Sequence, residues 1–439
     1  MVTTMNKKQL FEKAKAEGIE ELEIFESTNK KTSLDIFEQN VDHFTISDTT
    51  TWKVRGVYQG QMGKVIVEDG SDFDFIIDAI KENATAITSS DEQEIYAGDE
   101  HYPTIQKRNN TCFQASSAKK VQLMKTLERE LLESDARIAQ VMEASYVESC
   151  SQVSITNSKG LCLAKENQWT MLGACVLAKD KDDFKSASEV ELIEDLDAFD
   201  LSDFVKRLKE KAVSKLHAVS VHSGHYPIII DRSAMAQLLQ CVFAQFHGDQ
   251  AAKGISLLSC ALQQSIFDEK VTLIDDPLLP QGVNCTPFDD EGVACQRKVI
   301  VDHGVLLQFF HNLKSSKKMQ AETKGNGFHG SIDYTNFYME NGDQEVDELI
   351  KQMDRGIIVT DLAGLHAGWN AITTQFSIQA SGFFVEHGKI AYPINLFTIA
   401  GNFLKLMKQV DGIGNDLKHY PSGIGAPSVL FPNIAISGS

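Results

Sequence analysis

The stretch from Arg232 to Ser259 reads RSAMAQLLQCVFAQFHGDQAAKGISLLS. Met235, Leu238, Leu239, Val242, Phe243 and Phe246 fall at helical spacing and make one apolar stripe. Ser233 is placed to cap this helix, because its hydroxyl can accept from a free amide of the first turn. Gly248 is placed to close it, as a residue that takes left-handed geometry at little cost. The chain before the helix reads as one unit and the chain after it as another. A short apolar strand, HYPIIID over 225–231, leads into the helix, so the boundary falls near 218–226. The expectation is an N-terminal domain over 1–220 and a C-terminal, β-rich domain over 221–439. A length of 439 residues agrees, being too long for one ordinary core.

Outward from the helix, hairpins dominate. Residues 299–306 and 376–390 each read as two strands around a His-Gly turn, at His303-Gly304 and His387-Gly388. Val346, Leu349, Ile350 and Met353 mark a helix stopped at Gly356, and 395–408 reads as a last helix. In the N-terminal half, 21–25, 32–39 and 43–48 read as strands, and 52–67 as two strands around Gly60. Helices are expected over 7–17, 72–84, 118–134 and 201–216, with an acidic loop over 180–200. Few βαβ crossovers are visible. The fold class is therefore α+β with mainly antiparallel sheets: a sandwich-like N-terminal α/β domain, then a β-rich domain with flanking helices.

The charge is −19, which favours solubility and repels nucleic-acid phosphate, with no basic stripe to reverse it. No apolar run approaches the ~20 residues a membrane helix needs, and the N-terminus has no signal-peptide core. A cytoplasmic protein that binds neither membrane nor nucleic acid is expected. The eight cysteines are scattered with no CxxC, which reads as buried reduced thiols.

The residues alone identify no active site. No His-Glu-x-x-His or GxSxG is present. His217, His222 and His225 are close in sequence but have no carboxylate among them, and read as a polar junction cluster. His247 sits at a helix end, where the dipole favours a cation. The stretch FDDEG over 288–292 offers adjacent carboxylates, which point to opposite sides of an extended chain and read as a surface turn. The glycine-rich 325–330 lacks the preceding strand of a phosphate-binding turn.

An ordered series of stretches nevertheless resembles the TldD/PmbA, or modulator of DNA gyrase, family. The series is TLIDDP (272–277), PFDDEG (287–292), HGVL (303–306), TNFYMENGD (335–343), QFSIQASGFFVEHGKI (375–390), IAGN (399–402) and GAPS (425–428). VRGVYQGQMG over 54–63 is similar more weakly. The resemblance implies two arms: a zinc peptidase with HExxxH on a helix and a cysteine ligand near the C-terminus, and a PmbA, or TldE, arm lacking those groups. In the zinc-bearing arm the motif is followed by Gly-Asp, Gly and a Ser-rich stretch, matched here by Gly248-Asp249, Gly254 and Ser256 to Ser259. Counting back puts the ligand positions on Leu239 and Ala244 and the base on Gln240. Hydrocarbon side chains cannot ligate zinc, an amide is no general base, and no cysteine follows Cys295.

The resemblance thus implies a metal-free PmbA-like subunit without cofactor, acting on peptides as partner of a zinc-bearing TldD-like subunit. It also implies a dimer whose cleft takes an extended peptide, with Asn336, Tyr338 and His366 as candidate lining. Two other readings stay open: a self-sufficient peptidase using a displaced site such as the His217, His222, His225 group, and a homodimeric peptide-binding protein without enzymatic activity.

Overall fold

The computed structural model describes residues 5–86, 94–106, 109–280 and 282–438. Long alternating segments build the N-terminal half. After α1 (Lys7–Ala16), the strands β1 (Glu21–Phe37), β2 (Asn40–Tyr58) and β3 (Gln61–Val67) form an antiparallel meander, followed by α2 (Phe73–Thr85) and α3 (Ser117–Glu133). A second meander, β4 (Ile138–Asn157), β5 (Cys162–Asp180) and β6 (Asp183–Ile193), is followed by α4 (Leu201–Val213). The two join through β1 and β4 into one antiparallel sheet, β3-β2-β1-β4-β5-β6.

Side chains alternate between the faces of this sheet. Ile24 and Val54 pack under Ile76 and Ile80 of α2, and Tyr146 and Leu172 under Leu127 of α3 and Phe204 of α4. The opposite face carries Phe25 and Ile155, which Phe288 of the second half covers.

Two expectations change here. Residues 21–48 hold parts of two continuous strands rather than three short ones. Residues 183–193 form β6, not a loop. Ala187 and Ile193 are buried, and Glu189 and Glu191, on the same face of the strand, meet cations of α4 and Lys418. Glu189 pairs with Arg207 at 2.9 Å and with Lys418 at 3.0 Å, and Glu191 also pairs with Arg207.

In the second half β7 (Gly224–Ile230) leads into α5 (Arg232–Val242), a 3-10 turn over Phe243–Phe246 and α6 (Gly248–Ala252). Then come β8 (Leu273–Asp275), β9 (Lys298–Asp302), β10 (Val305–Leu306), α7 (Leu313–Met319), β11 (Gly327–Phe328), β12 (Ser331–Ile332) and β13 (Phe337–Met339). The chain continues through α8 (Val346–Met353), β14 (Gly356–Ala363), α9 (Leu365–Gly368), β15 (Gln375–Glu386), β16 (Lys389–Asn402) and α10 (Phe403–Leu406). It ends with β17 (Gly412–Ile413), β18 (Lys418–His419), β19 (Ile424–Ala426) and β20 (Val429–Ser437).

One sheet runs β10-β9-β8-β13-β19-β18. The other runs β16-β15-β14-β7-β20-β17, and β20 also pairs with β16 from Thr398↔Ser437 to Ala400↔Ala435. That extra pairing closes β7, β14, β15, β16 and β20 into a five-stranded barrel with no open edge between its first and last strands. At one point β14 and β15 approach so closely that a Cβ on Gly382 would lie 1.8 Å from the Ile358 carbonyl oxygen. α5 packs between β19 of the first sheet and β14 of the barrel, and one buried cluster spans all three.

Both expected hairpins form. Their turns take positive φ at two successive residues, His303 (44°) with Gly304 (78°) and His387 (53°) with Gly388 (64°). This is the backbone of a tight two-residue hairpin loop. The expected helix over 395–408 does not form. Residues 389–402 are strand, with Ile394, Phe397 and Ile399 buried, and only Phe403–Leu406 is helical.

Candidate functional site

Asp231, not Ser233, caps α5: its carboxylate accepts from the Ala234 N–H at 2.8 Å. Burial, with Asp361 nearby, raises the Asp231 carboxyl to about 7. Gly248 does not close the helix either. α5 ends at Val242, the chain tightens into its 3-10 turn, and Gly248 opens α6. Glycine stands there because a Cβ would lie 2.2 Å from the His311 ring, while its N–H donates to the Phe310 carbonyl at 2.8 Å.

The apolar stripe is buried as its spacing predicts. Leu239 is 0% exposed, inside the cluster that joins α5 to both sheets. Its neighbour Gln240 points outward, and its amide donates to the Tyr334 hydroxyl at 3.4 Å. Ala244 is half-buried in the 3-10 turn. Phe243 fills the space behind them and makes an aromatic wall, its ring centre 4.7 Å from Tyr334, 4.9 Å from Phe310 and 4.6 Å from His247. These edge-on contacts suit the ring quadrupoles.

Tyr334 is held from behind by a buried ion pair. The Thr335 N–H and hydroxyl both donate to Asp275 Oδ1 at 2.8 Å. Asp275 Oδ2 takes Lys298 Nζ at 2.9 Å and Asn326 Nδ2 at 3.1 Å, and the two charged side chains are 0% and 1% exposed. With every oxygen engaged, this pair fixes geometry while meeting its desolvation cost. Burial, with Asp333 adjacent, pushes the Tyr334 phenol up to about 12, so it stays a neutral donor and acceptor.

His247 is not a solvated helix-end cation. Burial lowers its pKa and keeps the imidazole neutral. Its Nε2 and the Asp249 Oδ1 are both buried without a hydrogen-bond partner. Gln245 locks the surrounding loops: its amide donates to the Ala371 carbonyl at 2.6 Å and its oxygen accepts from the Leu257 N–H at 2.7 Å.

Of the candidate lining residues, Asn336 and Tyr338 are buried and His366 is exposed. Asn336 is buried with both ends of its amide engaged, donating to the Asp276 carbonyl at 2.8 Å and accepting from the Asn284 N–H at 3.1 Å. Tyr338 is buried on β13, edge-on to His419 at 5.1 Å. His366 is exposed on α9, which packs on β15 of the barrel.

His217, His222 and His225 are exposed and tied to different partners. His217 Nε2 bonds Asp180 at 2.8 Å, His225 Nδ1 bonds Asn433 at 3.0 Å, and the His222 carbonyl accepts from the Tyr226 hydroxyl. The FDDEG stretch is a buried clamp rather than a surface turn. Asp289 is 0% exposed and accepts from the N–H groups of Glu291, Val293 and Gly327. Asp290 accepts from the His329 N–H and Glu291 from the Leu313 N–H, so the three carboxylates diverge. Among the described residues no group of three or more His, Cys, Asp or Glu could hold a metal ion. The cysteines are free, but only Cys112 and Cys295 are buried, and Cys162 and Cys260 are exposed.

Known proteins resemble this chain in sequence and fold. Residues 223–438 match the model of the PmbA/TldA metallopeptidase C-terminal domain, and 111–216 that of the central domain. The metalloprotease PmbA homolog of Buchnera aphidicola is 29% identical over 316 residues, covering 71% of this chain and 69% of that one. The Thermotoga maritima protein described as a modulator of a DNA gyrase is 29% identical, with a TM-score of 0.92 over 98% of this chain and 99% of that one. TldE from Thermococcus kodakarensis, at 23% identity, has the same fold, with a TM-score of 0.88 over 98% of this chain and 99% of that one. No helix among the described residues is long and apolar enough to cross a membrane. Together the two matched domains take in most of the chain, and it belongs to the PmbA/TldD metallopeptidase family.

Proposed function

We propose that this chain is a metal-free, PmbA-like subunit of a metallopeptidase system, which handles peptides in partnership with a zinc-bearing TldD-like subunit. Leu239 carries the reading. At the first position where the zinc-bearing arm presents an imidazole, this chain has a hydrocarbon with no exposed surface, packed into the core. Gln240, at the position of the general base, offers only an amide, which can donate and accept hydrogen bonds but cannot take a proton at neutral pH. Ala244, at the second ligand position, has no ligating atom at all. Zinc therefore does not fit the residues present at these positions, and no chemical step in this chain is routed through one.

The outward surface of α5 suits binding. Gln240 and the Tyr334 hydroxyl offer donors and acceptors to a peptide backbone, against the apolar wall of Phe243. We place His366 among the peptide contacts. We read Asn336 and Tyr338 as buried supports behind that surface, and the division into domains as falling at 220/221.

The test is peptidase activity on unstructured peptides, with the chain alone and mixed with a zinc-bearing TldD-like protein. Activity should appear only in the mixture and co-elute with a complex of both chains. Hydrolysis by the chain alone, abolished by chelator, would refute the reading.

A further inference from the structure

A cleft with a volume of about 1190 Å³ lies between the N-terminal sheet and residues 278–280 and 282–287. That exceeds the roughly 300–1,000 Å³ of ordinary small-molecule pockets and suits a longer ligand. Five consecutive residues of β5, Ala164 to Gln168, line it. Successive side chains of a strand point to opposite faces of its sheet. The cleft also reaches over one face of the sheet to Gln152 and Ser154 of β4 and to Glu26 and Thr28 of β1, so it wraps this end of β5 and takes in its outer edge.

The ladder agrees. β4 pairs β5 from Cys162 to Ala178, but β6 pairs it only from Thr170 onward, where Ile193 sits opposite. From Leu163 to Trp169 the outer side of β5 has no strand partner among the described residues. Half the backbone groups of that segment face the cleft, and an edge of this kind is a template for another strand. Leu278 and Val283 form an apolar wall opposite, and Glu166 stands exposed on the edge, its carboxylate bonded to Gln152 Nε2 at 2.7 Å. The one cation among the described residues that line the cleft, Lys165, is turned away into hydrogen bonds with Thr286 Oγ1 at 3.0 Å and the Phe288 carbonyl at 2.7 Å.

We infer that this open edge of β5 is a binding site for an extended peptide of neutral to basic character, which adds as a strand end to end with β6. Backbone pairing would supply affinity with little demand on sequence, and Glu166 would favour a lysine or arginine side chain. This site stands apart from the proposed role of α5 and does not depend on it.

The probe is a fluorescein-labelled octapeptide of alternating threonine and valine with a lysine at each end. Comparison peptides carry N-methyl groups on the backbone nitrogens of one edge or the other. Anisotropy with the full chain should show binding that one of the two methylated series weakens about ten-fold or more, through lost backbone hydrogen bonds. Glu166→Lys should weaken the lysine peptide and spare an uncharged analogue. Hydrogen exchange should show new protection over 163–169. No binding, equal binding of all peptides, or protection confined to α5 and Tyr334 would overturn the inference. The last of these leaves the proposed function standing. Stoichiometric zinc in the chain would sink the proposed function without touching this edge.

Discussion

Leu239→Ala is the perturbation that separates a packed motif position from one that faces a cavity. Leu239 has no exposed surface and lies in the cluster uniting α5, the barrel and the first C-terminal sheet. Removing a fully buried leucine side chain costs about 2–5 kcal/mol, the lost transfer energy plus the cavity left behind. Neighbours on both sheets limit collapse, so a loss of about 3 kcal/mol is expected. Gln240→Ala, one residue away on the exposed surface, forfeits a single 3.4 Å hydrogen bond and should stay within about 0.5 kcal/mol. Trp369 stacks on Phe376 of β15 and reports the C-terminal half once Trp52 and Trp169 are replaced by phenylalanine. With a urea m-value of about 3 kcal/mol/M for a unit this size, Leu239→Ala should lower the midpoint by about 1 M with the slope unchanged. A loss below about 1 kcal/mol would refute the packing argument, because only a side chain bordering open space is removed that cheaply.

Three further outcomes follow from the same structure. Asp231→Asn keeps the N-cap but removes a buried carboxylate whose folded pKa, about 7, lies above the unfolded value. A raised carboxyl pKa gives stability that is present below the unfolded pKa of about 4 and is lost as pH rises towards 7, so the variant should be the more stable at pH 8 and equal at pH 4 by urea midpoint. Lys298→Met leaves the Asp275 charge buried and unpaired, and should cost about 3–5 kcal/mol in the same assay. Gly382→Ala puts a Cβ against the Ile358 carbonyl, forcing β14 and β15 apart, and should broaden amide resonances along both strands while leaving the N-terminal sheet unchanged.

Local chemistry made much of this fold legible. The His-Gly turns announced both hairpins, because only a few residue pairs tolerate two successive positive φ values. The α5 stripe announced its buried face for the same local reason. Residues 395–408 misled because Phe397, Leu404 and Leu406 also suit a helix. Barrel closure decides otherwise, through pairing of Thr398 to Ala400 with residues nearly forty positions later, and no local window contains that. β6 hid behind the acids on its packed face, whose cations come from α4 and from Lys418, far away in sequence.

At the site, the proposed assignment of Leu239, Gln240 and Ala244 rests on spacing and resemblance. The role of Tyr334 could not, since its place depends on a buried Asp275–Lys298 pair joining separate strands. The only hint was its position beside the TNFYMENGD stretch of 335–343 that carries the resemblance. His247 misled because burial, which no helix-end rule foresees, reverses the preference for a charged ring. The β5 edge left no local signal either, since an edge exists only by the absence of a neighbour.

The central claim is that the α5 segment holds no donor set for zinc. The most direct test is elemental analysis of the full chain, purified without chelators and dialysed against zinc. The account predicts substoichiometric zinc that a further wash removes. One tightly held zinc per chain, retained on washing and lost on mutation of residues in 239–249, would contradict it.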